Sequence, residues 1–248
     1  MVHPGPEALA RAAAGEAAAV LRQTVADRGE ANAMFATGNS QLAFVEALVD
    51  LDDVPWDRVV VFHMDEYVGI GPAHPASFRR WIRDRIELPT RPAAAHYLDG
   101  LAPDPEAECA RYGALLRARP LDLCCLGIGE NGHLAFNDPP ADFDDPLDVK
   151  IVTLDDACRR QQVGEGHFPT VDAVPARALT VTVPALLRAP RVLAVVPDAR
   201  KAVAVARALL GTVHPSCPAS ALRRHPGVTV HLDPASAAGL GWEIHAPA

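Results

Sequence analysis

The sequence predicts an α/β fold: a doubly wound, mostly parallel sheet with helices on both faces, in a single domain spanning residues 1–248. Three features carry this expectation. Short, largely apolar runs recur along the chain, segments of helical period fall between several of them, and small polar residues follow the runs directly. A strand that reads apolar throughout, rather than at alternate positions, is buried on both faces, as in a parallel sheet. Alternation of such strands with helices is how these sheets are built.

Pro6 to Arg28 reads as the first helix, with alanine and leucine on a helical period and a proline near the start, where its missing N–H costs nothing. Ala33–Ala36 follows as a strand and runs into Thr37-Gly38-Asn39-Ser40, after which Leu42, Phe44, Val45 and Leu48 repeat at helical spacing. Arg58–Phe62, Leu121–Leu126, Leu179–Val183, Val192–Val196 and Val228–Leu232 complete the set of strands. Helical patterns cover Ser77–Ile86, Pro105–Arg117, Ala199–Leu210 and Ala219–Arg224. Prolines cluster between these elements, as at Pro139-Pro140 and Pro184, where they punctuate the chain.

A net charge of -8 and an isoelectric point near 5.6, with scattered arginines, exclude the basic footprint of a nucleic-acid-binding protein and favour a small-molecule ligand. Five cysteines without CxxC spacing give neither a zinc site nor a disulfide framework. The N-terminus has no signal-peptide pattern and no apolar stretch reaches membrane-spanning length, so a cytoplasmic protein with no membrane partner is expected. The pattern leaves room for a homo-oligomer.

In an open parallel sheet, ligands collect outside the carboxyl ends of the strands. Four stretches stand there. Thr37, Gly38, Asn39 and Ser40 would leave backbone N–H groups free at a helix start, either as an anion cradle or as an ordinary N-cap turn formed by Asn39 or Ser40. Asp65 and Glu66 follow the second strand: a carboxylate there suits a general base, and the bland alternative is a helix cap with a solvated neighbour. Gly127 to Pro139 brings Asn131, His133 and Asp138 into one glycine-framed turn, with Asp138 or Asn131 orienting the imidazole. Lys201, one of only two lysines in an arginine-rich chain, opens a helix where an ammonium could meet a phosphate.

Taken in this order, from Asn32 to Leu240, these stretches resemble the glucosamine-6-phosphate deaminase and 6-phosphogluconolactonase superfamily. Met64-Asp65-Glu66-Tyr67-Val68-Gly69 and Gly132-His133-Leu134-Ala135-Phe136-Asn137 resemble the deaminase signatures. A lactonase would show Asp-Glu-Arg at the first place and Asp-Gly-His-Thr-Ala-Ser near the second. The resemblance implies conversion of an amino-sugar phosphate to fructose 6-phosphate and ammonia, with no metal or organic cofactor. It further implies Asp65 as the base moving a proton from C2 to C1, His133 as the acid/base group opening the ring, and Asp138 as its assisting carboxylate. The phosphate would lie between Thr37–Ser40 and Lys201.

The chain departs from that pattern in three places. Asp138 stands where glutamate is usual, and Asn131 where some deaminases have aspartate. Glu165-Gly166-His167 stands where a phosphate-binding arginine is typical. Arg159 or Arg160 reaching in, His167 substituting, and a ligand with a different far end are the three alternatives at that place. Lactone hydrolysis on the same fold, and sugar-phosphate sensing without turnover, are the competing functions.

Overall fold

A computed structural model describes residues 1–164 and 166–241. The chain runs α1 (Pro6–Arg28), β1 (Ala31–Phe35), α2 (Leu42–Val49), β2 (Val59–His63), β3 (Asp65–Tyr67), α3 (Phe78–Ile82), α4 (Leu88–Thr90), β4 (Ala94–His96), α5 (Pro105–Ala118), β5 (Leu123–Leu126) and β6 (Val149–Thr153). It continues through α6 (Asp156–Gly164), β7 (Arg177–Val181), α7 (Val183–Leu186), β8 (Arg191–Val196), α8 (Ala202–Leu210) and β9 (Val228–Leu232). Among the described residues no helix is long and apolar enough to cross a membrane.

Six strands pair in parallel in the order β4-β2-β1-β5-β8-β9. From β1 the chain winds outward through β2 to β4, then returns to β5 on the other side and winds outward again through β8 to β9. The direction reverses between β1 and β5, so the loops leaving these two strands diverge and open a crevice. The register sets their height: Phe35 is level with His63 on one side and with Cys125 on the other.

Side chains alternate between the two faces, and each face has its own core. Met34, Val60, Phe62, Cys124, Leu126 and Val192 pack with Tyr112 and Leu116 of α5, Leu186 of α7 and Val205 of α8. Ala33, Phe35, Val59, Val61, Leu123 and Cys125 pack with α1, α2 and α3. Each large apolar side chain buried this way contributes roughly 1.5–3 kcal/mol of transfer free energy. The five cysteines are buried and unbridged.

The predicted strand Leu179–Val183 is the main correction to the fold. The strand is Arg177–Val181, and it lies outside the parallel sheet, at the centre of a three-stranded antiparallel sheet ordered β3-β7-β6. A short buried apolar run reads alike in either kind of sheet, because periodicity reports burial and not the direction of the neighbours. Val183 belongs to a helical turn instead, with Pro184 at its start and the Thr182 side chain accepting from Ala185 N–H. Ala219–Arg224 is a 3-10 helix over Pro218–Arg224, and Ala199–Leu210 begins with a 3-10 turn before α8. Ser77 caps α3, which passes through a π turn at Arg83–Glu87 into α4.

Candidate active site

The crevice at the carboxyl ends gathers all four polar stretches into one cavity. Thr37, Gly38, Asn39 and Ser40 line it from the loop after β1, Asp65 from the start of β3, Gly127, Gly129 and His133 from the loop after β5, and Arg200 and Lys201 from the loop after β8. Gln161, Gln162 and His167 close it from α6 and the segment that follows.

The turn after β1 takes its shape from Gly38, whose φ of 98° lies where side chains are strained. Gly38 is the N-cap of the 3-10 turn Asn39–Gln41, with no side-chain cap hydrogen bond, so neither Asn39 nor Ser40 is the N-cap residue. The first N–H groups of such a start have no partner within the helix. Gln41, which sequence reading passed over, ties the turn to β8. Its Nε2 donates to Ser40 Oγ and to the Val195 carbonyl, both at 3.1 Å.

Asp65 and Glu66 divide the two roles weighed for them. Glu66 caps the start of α3, accepting from Ser77 Oγ at 2.8 Å, Phe78 N–H at 3.2 Å and Arg79 N–H at 2.9 Å. Asp65 faces the cavity with 7% exposure, and its Oδ1 has no hydrogen-bond partner among the described residues. Burial, reinforced by the neighbouring Glu66 charge, pushes the Asp65 carboxyl up to about 8. His63, two residues earlier at the end of β2, serves structure: its Nε2 accepts from Leu98 N–H at 2.8 Å.

In the loop after β5, His133 Nδ1 and Asp138 Oδ1 stand 3.1 Å apart. Asn131 braces both: its Oδ1 accepts from His133 N–H at 2.9 Å and its Nδ2 donates to Asp138 Oδ1 at 2.8 Å. Burial pushes the Asp138 carboxyl up, but its contacts with His133 and Asn131 outweigh this and hold it below its ordinary value. Gly129 is required by close approach, because a Cβ there would lie 2.2 Å from His133 Nε2. Gly132 is required by its φ of 93°.

The antiparallel sheet couples Asp65 to this loop. Asp65 pairs with Thr180 of β7, Thr180 Oγ1 accepts from Phe136 N–H at 3.1 Å, and the Val181 carbonyl accepts from Asn137 Nδ2 at 2.8 Å. One strand therefore holds both the carboxylate and the histidine loop.

Lys201 is 6% exposed at the start of α8 and lines the cavity. Arg200 lines it as well, a cation not singled out from the sequence, and Asp198 holds it at 2.9 Å. Of the side chains weighed at the missing arginine, His167 lines the cavity. Arg159 instead donates to the Val171 and Val174 carbonyls, and Arg160 is exposed. Glu165 lies outside the described residues.

Residues 4–231 match the family of glucosamine-6-phosphate isomerases/6-phosphogluconolactonase. A glucosamine-6-phosphate deaminase of Exiguobacterium sp. is 35% identical over 213 residues, which cover 85% of this chain and 81% of that protein. The structure of a monomeric glucosamine-6-phosphate deaminase superposes with a TM-score of 0.88 at 30% identity, covering 96% of this chain and 98% of the other. The 6-phosphogluconolactonase of Trypanosoma brucei shares the fold, with a TM-score of 0.79 at 19% identity over 97% of this chain and 98% of that one.

Proposed function

The chain belongs to the glucosamine-6-phosphate isomerase/6-phosphogluconolactonase family, on its deaminase side, and we propose that it converts glucosamine 6-phosphate, or a closely related amino-sugar phosphate, to fructose 6-phosphate and ammonia, the whole chain acting as one catalytic domain. One observation carries the reading: a buried carboxylate with an uncommitted oxygen, Asp65, shares a cavity with a carboxylate-braced histidine, His133. A base that must lift a proton from carbon needs a high proton affinity, and burial supplies it.

In this mechanism His133, aligned by Asp138 and Asn131, moves the proton between the ring oxygen and the C1 hydroxyl as the ring opens. Asp65 then removes the C2 proton and returns it at C1, while the amine gives up one proton and O1 gains one, so that the C1 carbonyl becomes a hydroxyl and C2 becomes an imine. Water adds at C2, the C–N bond breaks and ammonia departs. The pair of carboxylates divides the work by environment: Asp65 is raised and takes a proton, whereas Asp138 is lowered and stays charged beside the imidazole. Hydrolysis of an ester needs no C2 base and suits the lactonase relatives.

Incubation with glucosamine 6-phosphate tests the reading, with ammonia and fructose 6-phosphate expected in equal amounts. No product above a heat-killed control would sink it. The Thr37–Ser40 turn, Lys201 and His167, which line the same cavity, receive the phosphate in this reading. Lys201→Met is expected to raise KM for glucosamine 6-phosphate by roughly 10- to 100-fold with a smaller change in kcat, because a charge-assisted hydrogen bond far from the reacting carbons is made in ground state and transition state alike. Steady-state kinetics separates the two constants, and an unchanged KM would remove Lys201 from the phosphate site.

A further inference from the structure

The wall of the cavity formed by α6 holds an amide whose orientation the fold has already chosen. Tyr67 is fully buried, with Phe78, Phe136 and Phe168 around it at ring-centroid distances of 5.0, 5.2 and 5.3 Å. A phenol has one proton to donate, and Tyr67 gives it to Gln162 Oε1 at 2.7 Å. Gln162 is 5% exposed, and its own carbonyl accepts from His167 N–H at 3.1 Å, which fixes the end of α6 beneath it. With Oε1 committed to the tyrosine, the end of the side chain left for the cavity is the NH2 group. Among the described residues it has no acceptor.

A donor turned toward a cavity by a fixed partner on its other end is ready for an acceptor that arrives with the ligand, and once the ligand excludes water a donor left unmatched there costs about 1–3 kcal/mol. The sign of the dipole then selects the group. An amide NH2 repels an ammonium, and the amine of an amino sugar is better matched to the Asp65 carboxylate. The phosphate is matched to the cationic end at Lys201. What remains between the two ends of a hexose chain is a hydroxyl oxygen in its middle.

We propose that Gln162 determines specificity by donating a hydrogen bond to the C3 or C4 hydroxyl oxygen of the sugar, and that Tyr67 is the positioning residue that holds its donor end toward the cavity. The inference rests on the reading of the cavity as an amino-sugar phosphate site.

Kinetics with glucosamine 6-phosphate and its 3-deoxy and 4-deoxy analogues test it. The wild-type protein is expected to prefer the parent sugar over one of the two analogues by roughly 10- to 100-fold in kcat/KM, the range set by leaving a buried polar group unpaired. Gln162→Met keeps the length and loses the donor. It should lower kcat/KM for the parent by a similar factor, mostly through KM, and bring the discriminated analogue level with it. Tyr67→Phe keeps the ring packing and frees the amide to turn, so discrimination should fall while kcat stays within about twofold, a split that mere loosening of the core would not give.

Retention of the wild-type preference in a folded Gln162→Met protein would overturn the inference, and so would equal use of all three sugars by the wild type. Thermal-shift titrations with the same three sugar phosphates read the preference without turnover. A wild type that binds with this preference and releases no ammonia would refute the deaminase reading alone, whereas one that releases ammonia without the preference would refute only the role of Gln162.

Discussion

Asp65→Asn is expected to lower kcat for ammonia release by roughly three orders of magnitude, within the range that a positioned general base supplies. The amide fills the same volume at a site that is almost wholly buried, so the loss reports the missing proton acceptor and not a cavity. The fold should gain from the change. The Asp65 carboxyl is raised from 3.8 to about 8 in the folded protein, so its stabilising contribution is fully present below the unfolded value and is lost as pH rises through the folded one. Between about pH 4 and pH 8 the wild type therefore loses stability relative to the asparagine variant at up to ~1.4 kcal/mol per pH unit. Melting curves across this range should show the Tm of the variant pulling ahead with rising pH and levelling off above about 8. Parallel Tm curves for the two proteins would show that Asp65 is not held protonated.

The same raised carboxyl sets the direction of the pH–rate profile. Only the ionised form accepts a proton, so kcat/KM should climb tenfold per unit below about pH 8 and flatten above it. The cationic amine of a bound sugar favours the charged carboxylate, which moves the corresponding limb of kcat toward acid. Lactone hydrolysis by His133 would keep its rate in Asp65→Asn, so this one variant separates the two chemistries of the family.

The parts of the site that could be read from the sequence are those set by local pattern. Thr37–Ser40, Asp65, His133 and Lys201 each lie in the stretch that follows an apolar run, and a parallel sheet brings such stretches to one edge. The antiparallel sheet was hidden because β3 is only three residues long and is recognisable by its pairing with β7 alone, 115 residues later in the register of Asp65 and Thr180. Yet that pairing ties Asp65 to the loop that carries His133. Gln162 escaped for a related reason: nothing in Arg160-Gln161-Gln162-Val163 distinguishes a surface glutamine from one whose oxygen is held by a tyrosine far back in the chain. Arg200 was missed because scarcity of lysine is a compositional cue and says nothing about which way a neighbouring arginine turns.

Gly129→Ala should cost on the order of 100-fold or more in kcat while leaving the protein folded. The added methyl carbon would stand 2.2 Å from His133 Nε2 and 2.3 Å from two further ring atoms, distances that real contacts do not reach. Gly129 is not among the glycines with positive φ, so alanine meets no backbone penalty and the ring is what must give way. The imidazole cannot retreat freely: its Nδ1 faces Asp138, its backbone N–H is bonded to Asn131, and its carbonyl accepts from the Gly129 N–H at 3.0 Å. Displacement by about an ångström breaks the alignment with Asp138, and misplacement on that scale costs a catalytic group roughly two orders of magnitude. The Thr37–Ser40 turn and Lys201 are untouched, so binding of a phosphorylated product should persist at near wild-type affinity. Wild-type kcat in Gly129→Ala would mean that His133 acts from another position, and a loss of product binding equal to the loss of kcat would mean that the whole crevice, and not the imidazole alone, had moved.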